Sequence, residues 1–184
     1  MEISHKNIHA EIIDRCIKGD QKAFYEIYNL YAKAMFNICF RIIGNQEVAE
    51  DVLQEAFVNA FKNIRSYQRK AAFGAWLKKI VVNKAISYLR KQQLELVQLE
   101  NHVEPKYETE IDDMDLPLKA ETIREAIRKL PNGFRVVFSL YLLEGYDHKE
   151  ISEILEISES TSKSQYNRAK KKLKEILKKE VYYG

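Results

Sequence analysis

The sequence predicts an all-α protein of two small helical domains joined by an acidic linker. Three observations carry this reading. Apolar residues recur at helical spacing along nearly the whole chain, and only six glycines and three prolines interrupt 184 residues. The sign of the charge reverses twice along the chain. A short capped helix, a brief turn and a long basic helix close the sequence.

The elements follow in order. Phe24, Ile27, Tyr28, Tyr31, Met35, Phe36, Cys39 and Phe40 form one apolar helical stripe. Gly44-Asn45 ends that helix, since both residues tolerate the left-handed conformation. Gln46 to Ile64 forms the next helix, with Val48, Val52, Leu53, Ala56, Phe57, Ala60 and Phe61 inward. Arg65 to Ala72 has no apolar period and reads as a loop. Helix resumes from Phe73 to Lys91, with Phe73, Trp76, Leu77, Ile80, Val81, Ile86 and Leu89 apolar. Leu94 to Asp115 lacks a sustained period and contains Pro105. Pro117 suits the first turn of a further helix that runs to about Leu130. Pro131-Asn132-Gly133 breaks the chain, and helix resumes from Phe134 to Leu143 before stopping at Glu144-Gly145.

Charge divides the chain in the same places. The net charge of +3 is small, but its distribution is uneven. Lys62, Arg65, Arg69, Lys70, Lys78, Lys79, Lys84, Arg90 and Lys91 occupy a stretch to Gln93 that holds no acidic residue. From Leu94 to Leu118, Glu95, Glu100, Glu104, Glu108, Glu110, Asp112, Asp113 and Asp115 face only Lys106. Lys163, Arg168, Lys170, Lys171, Lys172, Lys174, Lys178 and Lys179 form a second basic block. Two basic segments around an acidic one suggest two polyanion-binding modules and a solvated tether.

The final segment has the signature of a helix-turn-helix. Asp147 and Glu150 are spaced as a capping box, and Ile151, Ile154 and Leu155 supply the apolar face of a short helix. Glu156-Ile157-Ser158 forms the turn. Glu156 stands where glycine is common, so the turn needs either a non-glycine residue in an unfavourable conformation or a slightly different path. Ser158 can cap the second helix, and Glu159 suits its N-terminal end. Tyr166, Ala169, Leu173, Ile176 and Leu177 face inward; Ser160, Lys163, Ser164, Asn167, Arg168 and Lys171 face outward. Short polar residues and arginine near a helix N-terminus suit base-edge readout in a major groove, and lysines further along suit phosphates. The plain alternative is a helical hairpin with a solvated basic face.

Several classes are disfavoured. Cys16 and Cys39 are too few for a disulfide framework and read as buried small residues. The spacing of His5 and His9 is not matched by a third ligand, and no metal or other cofactor is expected. Glu47, Glu50, Asp51 and Glu55 could suggest a carboxylate-bridged metal enzyme, but the Glu-x-x-His pairs of such bundles are absent. A phosphate-binding glycine loop and a nucleophile elbow are also absent, so an enzyme is not expected. No run approaches the roughly 18 apolar residues of a membrane span. Met1 to Asp14 lacks the basic-then-apolar build of a signal peptide, so a cytoplasmic protein with no direct membrane insertion is expected.

Taken in order, these motifs resemble the extracytoplasmic-function (group 4) sigma factors of bacterial RNA polymerase, within the sigma-70 family. The resemblance spans roughly Phe24 to Leu177. Glu50-Asp51-Val52-Leu53-Gln54-Glu55-Ala56-Phe57 matches the family's Asp-x-x-Gln-Glu-x-Phe signature. Phe73, Trp76, Leu77, Ile80 and Asn83, with Leu89-Arg90-Lys91, match a second run. Leu130-Pro131, Arg135, Val137 and Phe138 match the opening of the C-terminal module. Glu150-Ile151 and then Thr161, Lys163, Ser164, Arg168, Ala169 and Leu173 match its two motif helices. The chain departs from the family pattern at Ser87, where Asp is common, and at Ser162, Gln165 and Tyr166, where Val, Arg and an aliphatic residue are usual.

The resemblance implies residues 1–93 as region 2, 94–116 as linker and 117–184 as region 4. Region 2 would dock on the clamp helices of the polymerase largest subunit through Asp51, Gln54, Glu55 and Phe57. It would recognise and melt the −10 element through Lys62, Arg65, Ser66, Tyr67, Gln68, Arg69, Lys70, Lys78, Lys79, Asn83, Lys84, Arg90 and Lys91. In that loop polar groups could read an extruded base, the Tyr67 ring could stack on one, and cations could hold the strand. Trp76 could stack or join the core, and core is favoured. Region 4 would read the −35 element through Ser160, Thr161, Lys163, Ser164, Asn167, Arg168, Lys171 and Lys172, and would bind the second-subunit flap. The acidic linker would thread through the polymerase, as a tether or as a nucleic-acid mimic. An anti-sigma factor, often membrane-anchored in this family, is a further implied partner. The rival function is a helix-turn-helix regulator that acts without being a polymerase subunit.

Overall fold

The computed structural model describes residues 9–97 and 120–183. Among these residues all regular structure is helical. Chain packing separates two compact units at Gln92/Gln93.

The first unit holds α1 (Ala10–Ile17), α2 (Gln21–Ile43), α3 (Gln46–Lys62) and α4 (Phe73–Val97). Asp20 caps α2 by accepting from the Lys22 and Ala23 amides at 2.9 and 3.4 Å. Gly44 ends α2 with a left-handed φ of 81°, and Asn45 immediately caps α3 through the Val48 amide at 3.0 Å. The Gly44-Asn45 break expected from sequence is therefore both a C-terminus and an N-terminus. The unit's core is Ile13 and Cys16 from α1, Ile27, Cys39 and Ile42 from α2, Leu53, Ala56 and Phe57 from α3, and Leu77, Val81 and Val82 from α4. Both cysteines are buried, and burial raises the Cys16 thiol to about 11 and the Cys39 thiol to about 12.

Two boundaries differ from expectation. α3 ends at Lys62 rather than Ile64, because the Asn63 side chain turns back to the Asn59 carbonyl at 2.9 Å. A 3₁₀ turn, Ile64–Ser66, then carries Ile64 into the core. α4 continues past Lys91 to Val97, since Gln92 to Leu96 are good helix formers with no breaker among them. Leu94 to Val97, read as the start of the linker, are therefore helical. The remainder of the linker, 98–116, and the expected helix start at Pro117 lie outside the described residues.

The second unit holds α5 (Ala120–Arg128), α6 (Asn132–Phe138), α7 (His148–Leu155) and α8 (Glu159–Tyr183). Ala126, Ile127, Leu130, Phe138, Ala169, Leu173 and Leu177 form its core, with Ile123, Phe134, Tyr166 and Ile176 packed on it. Arg135 is buried and donates to the Leu130 and Arg128 carbonyls at 3.1 and 3.4 Å and to Asn132 Oδ1 at 2.8 Å. Its cation thus meets the negative end of α5. Past Phe138 the helix widens into one π turn, Ser139–Leu143, closed by the Glu144 amide on the Ser139 carbonyl at 3.0 Å.

Candidate nucleic-acid interface

α3 buries one side in the first unit and leaves Asp51, Gln54 and Glu55 exposed on the other. With Val58, Asn59, Lys62 and Lys84 they line a shallow open depression. Glu55 pairs with Lys84 of α4 at 2.9 Å, so Lys84 and Lys62 stand with these carboxylates rather than with the loop.

Phe57 does not join this surface. It is 2% exposed and packs against the Tyr28 ring at 4.8 Å and the Phe61 ring at 5.7 Å. The reading of Phe57 as an aromatic docking anchor is corrected: it shares the inward face with Leu53, Ala56 and Ala60. Val58, 52% exposed, is the apolar side chain beside Asp51, Gln54 and Glu55. Its spacing of i+4 from Gln54 and i+7 from Asp51 was the available signal.

In the loop before α4, Arg65, Ser66, Gln68, Arg69 and Lys70 are exposed. Tyr67 is the exception, and the expectation of a ring free to stack on a base is corrected. It is 7% exposed, its hydroxyl donates to the Ala71 carbonyl at 2.7 Å, and its ring meets Phe73 at 5.3 Å and Trp76 at 5.5 Å. A ring whose polar tip closes its own loop stabilises that loop and is not available to a ligand. Trp76 is half-buried in the same cluster. Arg69 has a left-handed φ of 58° and its guanidinium pairs with Asp14 of α1.

Along α4, Lys79, Asn83 and Lys91 share one exposed stripe with Ser87, while Lys78 and Arg90 are half-buried beside it. The i, i+4 spacing makes this row continuous over three turns.

The helix-turn-helix is built as its caps predict. The Asp147 carboxylate accepts from the Glu150 amide at 2.7 Å and Glu150 accepts from the Asp147 amide at 2.9 Å. Glu156 adopts φ 57° and ψ 42°, so of the two courses open to the turn it takes the left-handed one. Ser158 Oγ caps α8 by accepting from the Thr161 amide at 3.0 Å. Ser160, Lys163, Ser164, Asn167 and Lys172 are exposed on α8; Thr161, Arg168 and Lys171 are half-buried. Lys163 pairs with Glu159 at 2.7 Å, which holds the Glu159 carboxyl below its ordinary range. Ser164 donates to the Thr161 carbonyl at 3.0 Å. Ahead of the motif, Tyr141, Leu142 and Leu143 of the π turn are exposed, an apolar patch that sequence reading missed because the helical period continues smoothly through it.

Two family models match this chain: Sigma-70 region 2 over residues 27–95, and Sigma-70 region 4 over residues 120–173. The ECF RNA polymerase sigma factor SigW of Bacillus subtilis is 34% identical, over 88% of this chain and 92% of its own. The chain belongs to the ECF family of RNA polymerase sigma factors. The ECF RNA polymerase sigma-E factor of Escherichia coli K12 is 29% identical over 86% of this chain and 88% of its own. In fold the chain is similar to the sigma factor RpoE of Bartonella quintana, solved in complex with the anti-sigma factor NepR. The TM-score is 0.57 at 23% identity, covering 85% of this chain and 98% of that one. It is also similar to CnrH, solved with the cytosolic domain of CnrY, with a TM-score of 0.53 at 22% identity, covering 91% of this chain and 96% of that one.

This is an alternative sigma factor that directs transcription. A stand-alone helix-turn-helix regulator is not favoured, because region 2 accompanies region 4 in the same chain. No described helix of the sigma factor is long and apolar enough to cross a membrane.

Proposed function

We propose that this sigma factor docks on core RNA polymerase through the exposed face of α3, opens the −10 element with the loop 65–72 and the basic stripe of α4, and reads the −35 element with α8. The observation that carries the reading is the juxtaposition in one unit of exposed Asp51, Gln54 and Glu55 with a loop and helix start rich in cations. Carboxylates on a rigid helix suit pairing with arginines of the polymerase clamp helices, and Val58 adds an apolar contact. Arg65, Ser66, Gln68, Arg69 and Lys70 offer hydrogen bonds and charge to an unstacked strand. Ser160, Thr161, Lys163, Ser164, Asn167 and Arg168 lie on the first turns of α8, where base edges are read, and Lys171 and Lys172 lie where phosphates pass. The chain carries no reaction of its own in this scheme.

Region 2 runs to the end of α4 at Val97, a linker follows to 116, and 117–184 serve as region 4. The apolar patch Tyr141-Leu142-Leu143 suits the second-subunit flap. An anti-sigma partner, membrane-anchored as is common in the family, and a cytoplasmic site of action complete the proposal; of the two similar solved structures, one holds the anti-sigma factor NepR and the other the cytosolic domain of CnrY.

Run-off transcription with core polymerase on a panel of duplex promoters tests the reading, alongside pull-down of core enzyme by Asp51→Lys and Glu55→Lys variants checked by circular dichroism. Promoter-dependent transcripts, and weaker core binding by both folded variants, are expected. Wild-type binding by both variants would discard the α3 epitope.

A further inference from the structure

We infer that Asp14 is a positioning residue for promoter opening: through Arg69 it holds the loop that receives the opened strand in its working shape. The inference rests on the reading of loop 65–72 proposed above. The region 2 match begins at residue 27, so α1 lies ahead of it and the proposed activities leave α1 unassigned. Yet α1 is tied to this loop directly by an ion pair, and His9 just ahead of α1 reaches it through a relay of rings. The Asp14 carboxylate pairs with the Arg69 guanidinium across 55 positions of sequence. At the loop's base, His9 meets the Tyr31 ring edge-on at 5.7 Å, Tyr31 meets Phe73 at 5.5 Å, and Phe73 meets Tyr67 at 5.3 Å.

Asp14 stands on a firm platform. Ile13 and Cys16, on either side of it, are buried, and Arg15 bridges Asp20 at 2.7 Å and Glu26 at 3.1 Å. Arg69, in contrast, has a left-handed backbone that crowding between Cβ and the carbonyl disfavours in an L residue. Asp14 holds the side chain of this left-handed residue, while the Tyr67 hydroxyl closes the loop on the Ala71 carbonyl. A loop ordered beforehand does not lose that freedom at the moment a base arrives, and this raises the yield of capture. Asp14 and Arg69 are both about half exposed, so their pair adds little to global stability. Its effect falls on the loop, and the fold does not depend on it.

The test compares wild type, Asp14→Asn and Asp14→Glu with core polymerase on a linear duplex promoter that the wild type transcribes, and on the same promoter pre-melted around −10. Asp14→Asn should open the duplex about two- to five-fold more slowly, the range that an exposed ion pair supports. It should match wild type on the pre-melted template and in thermal midpoint. Asp14→Glu keeps the charge and should recover most of the rate. Three results overturn the inference: equal opening by Asp14→Asn and wild type, faster opening by Asp14→Asn, or the same loss on both templates. Failure of the wild type to transcribe any promoter would instead strike the underlying sigma-factor reading of the loop.

Discussion

Ser162 Oγ and His148 Nδ1 lie 2.9 Å apart, joining the first residue of α7 to the buried side of α8. Ser162 is fully buried, so its hydroxyl would cost free energy without a partner. The His148 ring lies flat on Tyr141 at 4.4 Å, and Tyr141 meets Tyr166 at 4.5 Å. Ser162 and Tyr166 thus belong to one cluster around His148. The His148 ring satisfies the buried Ser162 hydroxyl, and the Tyr141 and Tyr166 rings flank it.

A double-mutant cycle reads that coupling. Ser162→Ala should cost about 1 kcal/mol, and His148→Leu about 1–3 kcal/mol because it strands a buried hydroxyl. The double variant should cost less than the sum, by about 0.5–1.5 kcal/mol. Urea unfolding of the three variants measures it, and strict additivity would show that the bond contributes nothing.

The loop before α4 separates structural from strand-holding roles. Tyr67→Ala should destabilise the chain by about 2–4 kcal/mol, since it removes a buried ring from the Phe73–Trp76 cluster. Replacing Gln68, Arg69 and Lys70 together by alanine should leave the thermal midpoint nearly unchanged. That triple variant should still bind core polymerase but should open the promoter poorly, seen as lost permanganate reactivity of thymines near −10. A pre-melted template should restore initiation in part, because base extrusion, a cost of a few kcal/mol, is then already met. Normal reactivity on duplex promoter would remove the loop from the melting role.

On α8, Arg168→Ala should cost about 1–3 kcal/mol on a matched −35 element and little on a scrambled one, if the guanidinium reads a base edge. Lys172→Ala should weaken both alike and flatten the salt dependence, as a phosphate contact does. Fluorescence anisotropy on the two duplexes at several salt concentrations distinguishes them. Equal losses for both variants on both duplexes would remove Arg168 from the base-reading role.

The buried thiols set a pH dependence. Cys16 and Cys39 stay protonated in the folded chain up to about 11 and about 12, whereas an unfolded thiol ionises near 8.5. Their contribution is therefore complete below about pH 8.5 and is lost as pH rises toward those folded values. The urea midpoint should fall between pH 8 and 10, and Cys39→Ala should show a shallower fall. At pH 8 a disulfide reagent should label neither thiol until urea opens the chain. Rapid labelling of the native protein would contradict the burial of both.

Much of this was legible in the sequence because it is local. The Gly44-Asn45 break, the Asp147–Glu150 capping box and the Ser158 cap all depend on neighbours within four residues, which the sequence displays directly. The two basic segments, the acidic stretch between them and the inward faces of α3 and α8 follow from residue type and helical period, and order in sequence carried the family resemblance. What the sequence left undecided was the fate of side chains that lie near a boundary of a helical face. Phe57 lies on the inward face that the period of α3 already gave it, whereas Tyr67, beside residues offered to partners, turned inward to meet the Phe73 ring of another element. Lys84 turned toward Glu55, Arg69 toward Asp14, and Ser162 toward His148. These choices are tertiary: burial and pairing depend on which distant group occupies the facing space, and only packing of the helices brings that group within reach.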